Sequence, residues 1–209
     1  MGSSNRFRLG VLGSGCGTNL AAINAAIERG ELPVTTAIVI SDIADSGILK
    51  HARQMNINCQ FIDPGSYRTK LDERAEREYI SALEQASVDL VVLAGFMRIL
   101  KGEFLKTFEG RVINIHPSLL PSFPGLNAWQ QALEYGVKYT GSTVHFVDQG
   151  VDSGPIISQE TVPVLDSDTP KSLHKRIQLA EHKIYPEAIA VIARRQLKLT
   201  GRRTRLSNL

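Results

Sequence analysis

The chain has 209 residues, a length that suits one domain with a sizeable core, and its 43% hydrophobic and 22% charged residues are ordinary for a globular protein. The net charge of +3 sits in the last dozen residues, where Lys198, Arg202, Arg203 and Arg205 have no acid among them; without these four the chain holds 20 bases against 21 acids, so the basic balance is not a nucleic-acid footprint. The start, MGSSNRFRLG, lacks the apolar region of a secretion signal, and no apolar run reaches the ~18 residues of a membrane span, so a cytoplasmic protein is expected.

Strand-like and helix-like runs alternate from the start. Arg8 to Leu12 reads as a short strand, Gly13 to Thr18 as a glycine loop, and Asn19 to Arg29 as a helix. Thr35 to Ile40 is β-branched and apolar, Ile48 to Met55 helical, and Cys59 to Ile62 a brief strand. Asp72 to Ala86 is a charged amphipathic helix, Leu90 to Ala94 a strand buried on both faces, Lys101 to Phe108 a short helix, and Val112 to His116 a further strand. This alternation predicts an α/β fold of the Rossmann-like kind: an open, mostly parallel twisted sheet with helices on both faces. The three prolines and the glycine of PSLLPSFPG (117–125) then exclude regular structure. A helix from Ala128 to Tyr135 follows, then strands Gly141 to Val147 and Pro155 to Pro163, joined by the turn Asp148 to Gly154 as an antiparallel hairpin. The last helix runs from about Thr169 to Arg195 with a kink or break expected near Pro186. One domain is expected over 1–209, with a core of 8–199 and a frayed, solvated basic tail of 200–209.

Four segments carry residue types suited to chemistry. In Gly13-Ser14-Gly15-Cys16-Gly17-Thr18-Asn19, backbone N–H groups and the following helix N-terminus can cradle an anion, with Thr18 or Asn19 capping the helix. A dinucleotide fingerprint needs glycine at Thr18, and a Walker loop needs GK[ST]; both are absent, so a monophosphate fits better, and a plain βα turn fits equally. Asn114 and His116, two apart on a strand, share a face where an amide and an imidazole can together stabilise an oxyanion. In Asp148-Gln149-Gly150-Val151-Asp152-Ser153-Gly154, either aspartate beside His116 would favour the charged ring; the same residues also make an ordinary turn. Gly95 to Leu100 offers a close backbone approach and an apolar surface for a flat ligand, or simply core packing. His145 lies nearby, yet no cluster has metal-ligand spacing, no GxSxG elbow is present, and Cys16 and Cys59 lack the CxxC pattern.

VLGSGCGTNLAAI, LVVLAGFMRIL, VINIHPSLLPSFPGLNAWQQAL, GSTVHFVDQGVDSGPIISQ and EHKIYP, in this order, resemble the folate-dependent formyltransferases, with the glycine loop ending in TNL pointing to the phosphoribosylglycinamide formyltransferase branch. The resemblance spans Arg8 to Leu199 and implies a catalytic set of Asn114, His116 and Asp152, the last preferred to Asp148 by its spacing from His116. It implies that Gly15, Cys16, Gly17, Thr18 and Asn19 hold the substrate phosphate and that Glu181 binds the ribose. Gly95, Met97 and Pro117 would lie along the glycinamide arm. Leu93, Phe96, Arg98, Ile99, Leu100 and Val147 would line the folate pocket. The family usually places a phosphate-binding Arg near the start of the third helix, where Arg68 or Arg74 could serve.

The implied reaction is transfer of the formyl group of 10-formyltetrahydrofolate to a primary amine, without metal, nucleic acid or membrane, by a monomer or homodimer. The rivals are a formyltetrahydrofolate hydrolase or a tRNA formyltransferase of the same fold, both expected to be longer. A non-catalytic nucleotide- or folate-binding module and a Rossmann dehydrogenase are further alternatives.

Overall fold

The computed structural model describes residues 6–207, so residues 1–5 and 208–209 of the expected domain and tail lie outside the description. Contacts group the chain into two compact units, one up to Ile113 and one from Asn114 onward, where length alone suggests a single domain.

The first unit alternates strand and helix: β1 (Phe7–Leu12), α1 (Thr18–Glu28), β2 (Val34–Ser41), α2 (Gly47–Gln54), β3 (Cys59–Phe61), α3 (Glu73–Gln85), β4 (Leu90–Leu93) and α4 (Gly102–Thr107). Its strands run in the order β3-β2-β1-β4, and these neighbours pair in parallel. Burial explains the choice of strand. All four residues of β4, LVVL, are buried, as are Leu9, Val11 and Leu12 of β1, the pattern of strands covered on both faces. In α3, Ala75, Tyr79 and Leu83 recur every four residues and are fully buried, which fixes the inward face. Its start is set by Asp72, whose carboxylate accepts from the Ala75 amide at 2.8 Å, a cap worth about 1 kcal/mol. The carboxyl ends of the adjacent strands β1 and β4 lead into the glycine loop and the 94–100 segment. Ligands of open α/β sheets gather at such ends.

β5 (Val112–His116) carries the chain across the division, and the second unit continues with α5 (Ala128–Tyr135), β6 (Tyr139–Phe146), β7 (Ile156–Pro163), α6 (Pro170–Ala193), β8 (Leu197–Thr200) and β9 (Arg203–Leu206). The strand order here is β5-β6-β7-β9-β8. β6 and β7 form the expected antiparallel hairpin, from Tyr139↔Pro163 to His145↔Ile156. Val162 of β7 and Leu173, Ile177 and Ala180 of α6 make a buried cluster, with Trp129 and Leu133 of α5 packed against it.

Two expectations are corrected. Of the kink or break expected near Pro186, the break is absent: α6 runs 24 residues through it as one helix. Proline removes an N–H from a helix interior at a cost of about 3 kcal/mol, but Ile184, Tyr185, Ala188 and Ile189 around it are buried. Each apolar side chain so buried contributes about 1.5–3 kcal/mol, more than offsetting that loss. The start is held by a capping box of Thr169 and Ser172 with Pro170 in the first turn.

The basic tail is not frayed: β8 and β9 pair in antiparallel fashion from Leu197↔Leu206 to Thr200↔Arg203. Counting charges hides the reason. Leu-Lys-Leu-Thr and Arg-Thr-Arg-Leu alternate in period two, and Gly201, with φ 59°, sits in the two-residue turn between them. No helix among the described residues is long and apolar enough to cross a membrane.

Candidate functional site

In the first unit the glycine loop is held by its own backbone. The Gly13 amide donates to Ile40 O and the Ser14 amide to Gly95 O, both at 3.1 Å, while Gly15 O accepts from the Ile48 amide at 3.0 Å. Ser14 adds one side-chain contact, its hydroxyl accepting from the Met97 amide at 2.9 Å. Gly17 has φ 85°, and a Cβ there would stand 2.7 Å from the Ile48 Cα, so glycine is required on both counts. Here the capping expectation is corrected. Gly17 is the N-cap of α1, Thr18 is already helical, and no side chain caps the helix. The first-turn amides thus face outward from a helix end with no acid in its first turn, a geometry that favours an anion. Cys16 is exposed within this loop.

Residues 93–100 divide by burial. Leu93, Phe96 and Leu100 are buried, Phe96 with its ring centroid 5.8 Å from that of Tyr79, while Met97 is 57% and Ile99 38% exposed. Gly95 has φ 71°. The Arg98 side chain turns inward. Its Nε donates to Asp42 Oδ2 at 2.7 Å, and its Nη1 donates to the carbonyls of Tyr67 and Arg68. The Asp42 side chain is 1% exposed, so this ion pair is internal, and it ties the 67–70 strand-side segment to the end of β2. Of the two candidate arginines, Arg74 pairs with Glu78 at 2.8 Å and lies 4.0 Å from Asp63; Arg68 is exposed.

In the second unit β5 ends on Asn114 and His116, and the structure brings Asp152 to them. His116 Nδ1 lies 3.4 Å from Asp152 Oδ2, with both side chains largely buried. His116 Nε2 donates to Phe123 O at 2.8 Å. With that nitrogen as donor, a proton on Nδ1 is what makes the contact with an ionised Asp152 attractive. Asp152 Oδ2 also accepts from the Gly125 amide at 2.8 Å. Asp148 is occupied elsewhere, its Oδ1 accepting from the Ser153 hydroxyl at 2.6 Å and the Gly150 amide at 3.0 Å. Of the two aspartates, Asp152 is thus the one that meets His116. Pro117 and Val147 flank this cluster along the chain, both half-buried, and Glu181 is buried on α6.

Three partners are assigned no role by the sequence, although His145 stands out beside the turn. His145, buried at the end of β6, has Nε2 3.3 Å from Asn114 Nδ2 and 3.7 Å from Asp152 Oδ1, with Nδ1 2.8 Å from Phe146 O. Burial lowers its basicity, opposed by the Phe146 carbonyl and by Asp152, so the neutral ring donates from Nδ1 and accepts the Asn114 amide proton at Nε2. The nearness of His145 in sequence to the Asp148–Gly154 turn is the only signal. Phe123 and Gly125 act through their backbones, which side-chain identity does not announce. Phe123 has φ 53°, an uncommon conformation for a bulky residue, and its carbonyl also lies 3.4 Å from the Ser118 hydroxyl. Among the described residues no group of three His, Cys, Asp or Glu is placed to hold a metal ion.

A parallel α/β unit with an amide-lined glycine loop, followed by a unit carrying an Asn–His–Asp cluster, defines an α/β protein with groups suited to acid–base chemistry. The chain belongs to the formyl transferase family, whose model matches residues 7–189. It is 42% identical over 189 residues to the phosphoribosylglycinamide formyltransferase of Escherichia coli (strain K12), covering 90% of this chain and 88% of that one. The crystal structure of glycinamide ribonucleotide transformylase 1 from Symbiobacterium toebii superposes with a TM-score of 0.93 at 48% identity, covering 99% of this chain and 96% of that chain. Another relative is the trifunctional purine biosynthetic protein adenosine-3 of Gallus gallus, 44% identical over 91% of this chain; the match spans 19% of that longer protein.

Proposed function

We propose that this protein transfers the formyl group of 10-formyltetrahydrofolate to the primary amine of 5'-phosphoribosylglycinamide, a step of purine biosynthesis. The observation that carries the reading is the Asn114–His116–Asp152 cluster, with His116 Nδ1 3.4 Å from Asp152 Oδ2. The amine lone pair attacks the formyl carbon, and the carbonyl π pair moves onto oxygen. Asn114, which has a second amide proton beyond the one given to His145, and protonated His116 stabilise that oxygen. Both His116 nitrogens are already engaged, so the oxyanion takes over the donor now held by Phe123 O, and the 117–127 loop yields it. Asp152 supports the imidazolium and accepts the amine's proton, directly or through water. The oxyanion then re-forms the carbonyl as the C–N10 bond pair leaves with N10 of the folate, which takes up the proton that Asp152 removed from the amine.

The remaining assignments follow the chemistry of each group. The amides of Gly15 to Asn19 hold the phosphate, and Arg68 rather than Arg74 assists, because Arg74 is committed to Glu78 on its own helix and lies near Asp63 in the loop before it. Glu181 accepts from ribose hydroxyls. Gly95, Met97 and Pro117 follow the glycinamide arm, and Leu93, Phe96, Ile99, Leu100, Val147 and the backbone at Arg98 take the folate. The near-neutral charge of the chain outside its last dozen residues and its two free thiols fit a cytoplasmic enzyme of small-molecule substrates, monomeric or homodimeric.

The test is a formyl-transfer assay with both substrates. Transfer by the wild type, with a rate that falls at both acid and alkaline ends of the pH range, is the expected result. Breakdown of the formyl donor at the same rate without the amine would replace this reading by hydrolysis.

A further inference from the structure

Asp152 occupies a strained position. Its φ of 49° lies in the left-handed region, which Asp tolerates better than most residues but at a cost. The turn around it closes tightly. A Cβ at Gly154 would stand 1.8 Å from Phe146 O, and one at Gly150 would stand 2.0 Å from the Ser153 hydroxyl. A strained turn persists only where its surroundings hold it. From one side the hold is the Gly125 amide on the Asp152 carboxylate.

The other side is held by the C-terminal hairpin, which lies beyond residues 7–189 that the family model matches. Arg202, in the hairpin turn, donates from Nη2 to the carbonyl of Ser153, the residue after Asp152, at 2.6 Å. The Thr204 hydroxyl donates to Ile156 O at 2.7 Å, and Arg203 pairs with Ile156. These contacts fall on Ser153 and Ile156, both within four residues of Asp152. The hairpin has little other packing to explain its order. Residues 196–207 are all half-buried or exposed, Leu199 and Leu206 are 49% and 66% exposed, and Lys198 stands directly opposite Arg205, a like-charge pair that opposes the strand pairing.

We propose that the β8–β9 hairpin is a brace for the Asp152 turn and that Arg202 is a positioning residue for the transfer step; the kinetic part of this inference rests on the role given to Asp152 above. Arg202 touches no reacting atom and acts through the Ser153 carbonyl. Loosening the turn displaces the carboxylate by a fraction of an ångström to an ångström, and losses of about tenfold in kcat follow from misplacements of that order.

Arg202→Ala is therefore expected to lower kcat about tenfold, and Arg202→Lys, which keeps a cationic donor, to recover most of that loss. In an Asp152→Asn background Arg202→Ala should change kcat by less than about twofold, since two residues acting through one contact are not additive. Independently of activity, amide hydrogen exchange at 150–154 should quicken about tenfold in Arg202→Ala while exchange within α6 stays as in the wild type. Unchanged exchange at 150–154, or an equal kcat loss in both backgrounds, would overturn the brace. A wild type that transfers no formyl group would overturn the proposed reaction instead, and the exchange measurement still decides the brace.

Discussion

The glycine loop of the first unit and the Asp152 cluster of the second are built from opposite materials. Residues 13–19 are stitched by main-chain hydrogen bonds to Ile40, Gly95 and Ile48, and the groups they present are amides of a helix end with no side-chain cap. The second region is a knot of side chains, Asn114, His116, His145 and Asp152, clasped by backbone groups of residues in left-handed conformations or beside glycines. An amide-lined loop recognises a group that stays the same throughout a reaction, such as a phosphate. Titratable side chains are needed where charge appears and protons move. Under the proposed function, the difference between the two regions divides binding from chemistry, and substitution is expected to behave differently in each.

The largest effect belongs to the side-chain region. His116→Ala should lower kcat by about 10²–10³, the usual loss on removing an oxyanion donor, with the KM for the phosphorylated amine changed no more than a few-fold. Asp152→Asn should fall in the same range. Steady-state kinetics checks both. A rise in KM as large as the fall in kcat would show that the cluster binds substrate, and the division of labour would be wrong.

These two regions also differ in how far the sequence announced them. The run LVVL of β4, the helix Ala128–Tyr135 and the β6–β7 hairpin were legible because burial and turn chemistry leave local marks. Asn114 and His116 were legible as a pair because strand periodicity places them on one face. What brings Asp152 to His116 is a contact between residues 36 positions apart, and the sequence supplied it only through family resemblance. Gly17 as the cap, rather than Thr18 or Asn19, depends on a left-handed φ that three nearby glycines could each have supplied. The ordered tail was missed because a cluster of cations read as solvated, although Leu197, Leu199 and Leu206 already carried strand periodicity. The direction of Arg98 was not readable at all, since its partner Asp42 is set by tertiary packing.

Arg98 is also where the backbone-built region depends on a side chain. The 95–98 segment donates to Ser14 and accepts from it, and Arg98 anchors that segment to Asp42 and to the 67–68 carbonyls. Arg98→Ala leaves a carboxylate 1% exposed without its cationic partner, which should destabilise the protein by about 3–5 kcal/mol in a denaturant titration. Arg98→Lys should recover only part of this, because a single ammonium cannot span a carboxylate and two carbonyls. Pairing the change with Asp42→Asn should relieve much of the loss, since no buried charge is then stranded.

A smaller effect is expected at Gly15, where a Cβ meets nothing within 4 Å and the fold has room for a side chain. Gly15→Ala should leave the thermal midpoint unchanged. If the loop receives the phosphate as proposed, the added methyl blocks close approach and raises the KM of the phosphorylated amine about tenfold, with kcat nearly constant. An equal effect on an amine lacking the phosphate would place the methyl's obstruction somewhere other than the phosphate contact.

The smallest effect is a pH dependence of stability that follows from the side-chain construction of the second unit. His145, His174 and His182 all lie there, and burial lowers the basicity of each. A histidine whose folded affinity for protons is depressed stays neutral in the fold while the unfolded chain, with an ordinary value near 6.5, takes up a proton as the pH drops. Stability is then present in full above about pH 7 and is lost as the pH falls through the unfolded value. The thermal midpoint should decline between about pH 7 and 5.5, before the carboxylates titrate. His174 offers the cleanest variant, because its ring stacks on Trp129 at 3.7 Å and 5° and is remote in sequence from the catalytic turn. His174→Phe keeps an aromatic ring on Trp129 and removes the titrating group, so the decline should become shallower while formyl transfer is unaffected. A slope identical to that of the wild type would mean that His174 does not contribute, leaving the acid sensitivity to His145 and His182.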